Sequence, residues 1–258
     1  MKFIDSHAHL TYSDTDRTAI AAALGRIPVS DERLIIDAGV RPDDLDARIG
    51  LLADFPDVRI AAGLHPHDAK DFTEDDVAAF EKKIMSLNTA EKRICAVGET
   101  GLDYYRNNSP ADRQRAVFSR MLTLAKSVSL PVLIHSRDAA DDTIDIVRAS
   151  GVTRGVFHCF SGGREFARKA LDLGYLISFA GNITYKNADA IREASAFVPA
   201  DRFTIETDCP FLAPVPMRGT SNEPSFAVHT AACIAVIRGT TTEDVMDIAY
   251  RNTLALIA

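Results

Sequence analysis

A chain of 258 residues suits either two small domains or one β/α barrel, a fold that typically takes about 250 residues. With 47% hydrophobic and 25% charged residues, the composition is that of a folded globular protein and excludes a disordered or membrane-spanning chain. The formal net charge of −7 excludes a broad basic surface for nucleic acid and leaves room only for a local site.

Near the start, Phe3 and Ile4 form the only apolar pair before Asp5, too short for a signal-peptide core, and no later run reaches membrane length. A cytoplasmic location with no membrane contact is the expectation, and no obligate protein partner is evident. Cys95, Cys159, Cys209 and Cys233 show no Cys-x-x-Cys spacing, so they read as reduced thiols rather than a zinc knuckle or a disulfide framework.

In chain order, short apolar and β-branched runs occur at Phe3 to Ile4, Leu34 to Ile36, Val58 to Leu64, Ile94 to Val97, Val132 to Ile134, Gly155 to Phe157, Leu176 to Phe179 and Phe203 to Ile205. Strands buried on both faces read in this continuous way. Between them, Asp14 to Leu24, Asp75 to Leu87 and Pro110 to Val128 carry helical spacing, with Ser109 as an expected N-cap and Asp112 where a capping box wants an acid. Asn222-Glu223-Pro224 opens a further amphipathic helix, and Thr241 to Ile257 reads as the last one. The stretch from Pro210 to Glu223 lacks periodicity and is expected to be an ordered active-site loop. Alternating strands and helices call for a parallel sheet with crossovers. An open doubly wound sheet fits that alternation, yet eight strands with polar residues after nearly every one favour a single closed (β/α)8 barrel spanning residues 1–258. In that fold reacting groups sit at the C-terminal rim.

Six of the seven histidines lie at or just past a predicted strand end, and His229 alone falls within a predicted helix, where it reads as a surface residue. His7 and His9, two apart on an extended strand, face the same side and can clasp one cation together. Such a pair alone is equally at home on a solvated strand end. Glu99, His135, His158 and Asp208 at equivalent places on other strands turn the reading toward a metal centre. Imidazole and carboxylate donors suit zinc, manganese or iron, and the lack of thiolate pairs argues against a purely structural zinc. Six ligands exceed what one four-coordinate ion needs while keeping a place for water. Two ions sharing a carboxylate, roughly 3.5 to 4 Å apart, account for the number and would acidify a water for attack on an ester or amide.

The segments Asp5 to Leu10, Gly63 to His67, Gly98 to Tyr105, Ile134 to Ala139, Phe157 to Gly162 and Glu206 to Leu212 together resemble the TatD family of metal-dependent deoxyribonucleases within the amidohydrolase superfamily. The resemblance runs from Ile4 to Leu256 and implies a β/α barrel, two divalent ions, commonly magnesium, and hydrolysis of phosphodiesters at nucleic-acid ends, single-stranded DNA or RNA. It implies that His7, His9 and Asp208 hold the first ion, His135 and His158 the second, and Glu99 bridges them. In many superfamily relatives a carbamylated lysine bridges from the fourth strand, and here Glu99 supplies a ready-made carboxylate instead. Asp208 is expected to orient the nucleophilic water and take its proton. His65 and His67 would face the substrate, Arg137 could clamp a phosphate oxygen or make a structural ion pair, and Arg218 is the remaining cation of the following loop. Similar proteins often carry a His between the prolines of that loop and basic residues before Asn-Glu-Pro, where Val215, Thr220 and Ser221 stand here. Cys159 and Cys209, each beside a ligand, read as packing residues.

The leading expectation is therefore a nuclease acting on ends. A small-molecule amide, lactone or phosphoester hydrolase could use the same centre, and a non-catalytic metal-binding protein is the reading from another class.

Overall fold

A computed structural model describes residues 1–13, 15–90 and 94–258, the side chains of 88–90 excepted. Eight parallel strands follow each other around one sheet in chain order: β1 (Phe3–Ala8), β2 (Arg33–Ala38), β3 (Val58–Ala62), β4 (Ile94–Asp103), β5 (Val132–Arg137), β6 (Gly155–Phe157), β7 (Leu176–Phe179) and β8 (Phe203–Ile205). The sheet closes just past β8, where the His9 amide donates to the Cys209 carbonyl at 2.8 Å and the Asp208 amide to the His7 carbonyl at 2.9 Å. The chain is a (β/α)8 barrel, and the open sheet is excluded.

The crossovers carry α1 (Arg17–Gly25), α2 (Leu45–Leu51), α3 (Glu74–Ala90), α4 (Ala111–Val128), α5 (Ala140–Ser150), α6 (Arg164–Asp172) and α7 (Asp189–Phe197), with α8 (Ala227–Arg238) and α9 (Thr242–Ile257) after β8. The expected helix start at Asp14 lies outside the described residues. One large core joins the outer strand faces to the helices, through residues such as Ile20, Phe80, Phe118, Ile144 and Met246. A smaller cluster of Ile36, Ala61, Cys95, Ala96, Leu133, Val156 and Leu176 draws on six strands. Side chains from so many strands can meet only in the interior, so this cluster is the barrel's filling.

One helix end departs from expectation. Ser109 does not cap α4: Pro110 holds the N-cap position without a side-chain bond, and Ser109 Oγ donates instead to the His67 carbonyl at 2.7 Å. A capping box does open α9, where the Thr241 side chain accepts from the Asp244 amide and Asp244 answers to the Thr241 amide.

The strands also run further than the apolar residues suggest. β1, β4 and β5 continue through Asp5 to Ala8, Gly98 to Asp103 and His135 to Arg137. Those polar extensions stay in the sheet, where Asp5 bonds Thr207 and Glu99 bonds His135, which is how the metal-ligand candidates come to lie inside the barrel mouth.

Candidate metal centre

Two of the candidate ligands sit at breaks in strand register. Between Asp5 and Ala8 the pairing of β1 with β2 slips, and between Val97 and Thr100 that of β4 with β5 does the same. An extra residue in one strand re-aims its side chains, and His7 and Glu99 are the residues so aimed. The Gly-Glu-Thr-Gly sequence follows from the crowding around that second break. Gly98 has φ +149°, and a Cβ there would lie 2.7 Å from Leu133; one on Gly101 would lie 2.0 Å from the His135 carbonyl.

Glu99 is the hub. Its Oε1 lies 2.8 Å from His135 Nδ1, 2.8 Å from His158 Nε2 and 3.2 Å from His65 Nε2. Its Oε2 lies 3.3 Å from His7 Nε2 and 3.5 Å from His9 Nε2. Asp208 Oδ1 closes the other side, 3.4 Å from His9 Nε2 and 3.9 Å from His7 Nε2. The six residues singled out in the sequence thus converge on one rim, joined by His65.

A second set of groups fixes the imidazoles from behind. His9 Nδ1 bonds the Ala38 carbonyl at 2.9 Å, and His158 Nδ1 bonds Glu206 Oε1 at 3.2 Å, so each presents Nε2 to the centre. Asp103 Oδ2 meets both His135 Nε2 at 3.0 Å and His67 Nε2 at 2.8 Å. Glu206 also accepts from the Cys159 amide at 2.7 Å and from Ser178 Oγ at 2.5 Å. Sequence reading missed Asp103 and Glu206 as site residues, although both stand in motifs already noted, as the acids of Gly-Leu-Asp and Glu-Thr-Asp.

Burial opposes charge on His7, His9, His65, His135 and His158, and the neighbours decide which of them favours a proton. Against burial, Asp208 and Glu99 lift His9 to about 9, Glu99 and Glu206 lift His158 well above the usual imidazole range, and Asp103 and Glu99 lift His135. Burial wins for His7, aided by His158, and takes His65 down to about 4. Against burial too, His158 and His65 hold Glu99 well below the carboxylate range, while His9 and His158 lower Asp208 and the bonds from His135 and His67 lower Asp103. Protons on three imidazoles therefore balance the ionised carboxylates, a role a bound cation can assume.

The residues fit a metal. Both ring nitrogens of His7 are buried without a hydrogen-bond partner, a costly state that ligation relieves. Donor atoms lie within 4.8 Å of one another in the groups His7, His9, Asp208; His7, Glu99, His158; and His65, His67, His135. The last grouping brings His65 and His67, expected to face substrate, into the donor cluster itself.

All of these side chains except the fully buried His7 line a cavity of about 790 Å³ together with Tyr12, Arg106, Arg137, Asn182 and Phe211. Arg137 makes no ion pair among the described residues and instead stacks over the Tyr105 ring, 3.9 Å from its centroid. Arg218 lines an adjoining cavity rather than this one, stacked 4.0 Å over the Tyr185 ring. The loop that carries it is anchored, since Asn222 Nδ2 donates to the Thr207 and Phe211 carbonyls at 2.8 and 2.6 Å. Burial pushes the Cys159 and Cys209 thiols well up, so they stay protonated, and none of the four cysteines is disulfide-bonded. His229 lies half-buried on α8, near the Phe226 ring.

Residues 4–258 match the family described as TatD related DNase. The chain belongs to this family. It is 36% identical over 250 residues to the metal-dependent hydrolase YabD of Bacillus subtilis, with 96% of each chain covered. It is also 36% identical over 204 residues to a 3′-5′ ssDNA/RNA exonuclease TatD of Rahnella sp., with 76% of each chain covered. The structure of YjjV, a TatD homolog from Escherichia coli K12, superposes with a TM-score of 0.91 at 27% identity, covering 99% of this chain and 97% of that one. The protein is thus a metal-dependent hydrolase of the TatD family on a (β/α)8 barrel. No described helix is long and apolar enough to cross a membrane.

Proposed function

We propose that this TatD-family hydrolase is a phosphodiesterase that trims nucleic-acid ends, with residues 1–258 acting as one catalytic unit. The observation that carries the reading is that Arg106 and Arg137, with no carboxylate in ion-pair distance among the described residues, line the same cavity as His9, Glu99, His135, His158 and Asp208. In a chain of net charge −7, unneutralised cations at one mouth concentrate attraction for an anion there.

His7, His9 and Asp208 would hold one divalent ion, His135 and His158 a second, and Glu99 would span both; magnesium, zinc and manganese all suit such donors. Bound ions would polarise the phosphate and lower the pKa of the attacking water. Asp208 would orient that water and accept its proton. Asp103 fixes the rings of His135 and His67, leaving His67 at the cavity wall to meet a phosphate oxygen, and Arg137 offers its guanidinium to another. The exposed Tyr12 and Phe211 rings, 5.1 Å apart, give a splayed terminal base a face to rest on. The similarity to the Rahnella exonuclease supports the same substrate class.

The acidic balance and the neutral Val215, Thr220 and Ser221 favour one competing reading, a small-molecule hydrolase. End-labelled linear single-stranded DNA, the same sequence as a closed circle, and a panel of small esters and amides, each with and without chelator, separate the two. Linear DNA is expected to be trimmed, the circle to survive and chelation to abolish turnover. Efficient cutting of circles contradicts the end-directed model, and turnover confined to small substrates replaces it. Turnover of neither would leave a metal-binding protein without catalysis.

A further inference from the structure

A second cavity of about 390 Å³ adjoins the metal-lined one, sharing Asn182 with it, and is lined by Tyr185, Lys186, Ala188, Val215 and Arg218 among others. Its walls are two segments locked together: the Val215 amide donates to Thr184 Oγ1 at 2.8 Å, and Tyr185 OH donates to the Ala213 carbonyl at 3.1 Å. At Gly181 a Cβ would lie only 2.3 Å from the Leu212 carbonyl, so the segments touch backbone to backbone.

The chemistry of this cavity is cationic. Lys186 and Arg218 have no carboxylate within ion-pair distance among the described residues, while Arg218 is held flat on the Tyr185 ring. The amino end of α7 borders the same space, since its N-cap Ala188 lines the cavity and supplies no side-chain cap. Free amides at a helix start add positive potential to the two cations. At the junction of the cavities, Asn182 Oδ1 is buried without a hydrogen-bond partner. A donor on a chain passing from one cavity into the other, such as the exocyclic amine of a base, can satisfy that oxygen.

We infer that this second cavity binds the backbone phosphate of the nucleotide next to the one whose ester is hydrolysed, so that the enzyme selects substrates with two successive phosphates. The inference rests on the phosphodiesterase reading above. It explains how an acidic chain with a neutral loop at Thr220 and Ser221 can still hold a polynucleotide: the cations that remain, Lys186 and Arg218, converge on one phosphate. A substrate with a single phosphate reaches the metal centre but gains nothing from this cavity.

The test compares wild type with Lys186→Ala, Arg218→Ala and the double variant, each loaded with manganese, on a single-stranded DNA pentamer and on bis(p-nitrophenyl) phosphate, across a salt series. The ratio of kcat/KM for the pentamer to that for the small diester should fall about tenfold in the double variant, with the loss in KM. The salt slope of the pentamer KM should shrink by about 0.7, the value for one phosphate contact on a single strand. Lys186→Arg should restore the wild-type ratio. An unchanged ratio and slope overturn the inference while leaving the nuclease reading intact. If wild type cleaves no pentamer, that reading fails, and the cavity is judged by anisotropy with a fluorescein-labelled pentamer on chelator-treated protein. Weaker binding by the double variant then supports the phosphate site, and equal or absent binding overturns it.

Discussion

The backbone amide of Asp208 donates to the carbonyl of His7 at 2.9 Å, so the bond that closes the barrel joins two residues whose side chains face the same candidate ion. The last segment of the sheet is thereby tied to the first at the metal centre. An ion held there would cross-link β1 to the segment after β8, so the candidate metal centre and the barrel seam coincide.

Metal removal should therefore loosen the whole fold. A ligand present at about 100 times its Kd adds about 2.7 kcal/mol to the folded state, which for a chain of this size moves Tm by roughly 5 to 10 °C. Scanning calorimetry with and without chelator is the check, and an unchanged Tm would detach the seam from the metal.

Asp208→Asn should leave that seam intact. Asp208 has φ +56°, a left-handed conformation that asparagine adopts readily, and its bond to His7 is made by the backbone. In the proposed roles of ligand and proton acceptor, however, the carboxylate would be central to the chemistry. Turnover should drop on the order of 10²-fold or more with Tm little changed. A kcat close to wild type at saturating metal and substrate would move the base role elsewhere, with His67 the next group to examine.

Metal binding should release protons. Burial disfavours a charged His9, yet Asp208 and Glu99 raise it to about 9, and His135 and His158 are raised as well, so near neutral pH the metal-free centre holds protons that ligation displaces. Affinity should accordingly climb as pH rises toward 9 and fall on acidification. Titration calorimetry at one pH in buffers of different ionisation enthalpy measures the release, and a binding heat independent of buffer would contradict it.

The barrel was legible because its strands are buried on both faces and so appear as bare apolar runs. The reading stopped at Ile4, Val97 and Ile134 because a polar residue ordinarily ends such a run. Here Asp5 bonds the amide and hydroxyl of Thr207, and Glu99 bonds His135, which keeps those residues in the sheet. The ligand candidates were visible for the same reason in reverse, as polar residues where apolar ones were due. Asp103 and Glu206 escaped notice because their partners lie on other strands, and nothing in their own neighbourhood says that His135 and His158 lean on them. Arg218 was grouped with the site by proximity in sequence to Asp208, whereas the loop carries it to the adjoining cavity. Ser109 does not cap because its hydroxyl oxygen accepts from the Lys70 amide instead of an α4 amide, while the hydroxyl donates to the His67 carbonyl.

Arg48 and Asp37 make a buried ion pair outside the centre, with side chains 4% and 0% exposed and Nε donating to Oδ2 at 2.8 Å. Arg48 also donates to the Asp37 and Ala61 carbonyls at 2.6 and 3.0 Å, clamping β2 to β3. Arg48→Met leaves the buried Asp37 carboxylate without its cation, held only by the Thr11 amide and hydroxyl, and should cost about 3 to 5 kcal/mol. Denaturant unfolding reports it, and a loss below about 1 kcal/mol would mean that Asp37 finds another partner or a proton.

The central claim, that Glu99 bridges two divalent ions, is tested most directly by metal analysis after exhaustive dialysis of wild type and Glu99→Gln. Five imidazoles lie around the two oxygens of Glu99, and a neutral amide cannot balance two cations as a carboxylate does. Wild type should retain about two ions per chain, as a two-metal site requires, and the variant should lose at least one of them together with turnover. Retention of both ions by Glu99→Gln at wild-type affinity would contradict the bridge and the two-metal account built on it.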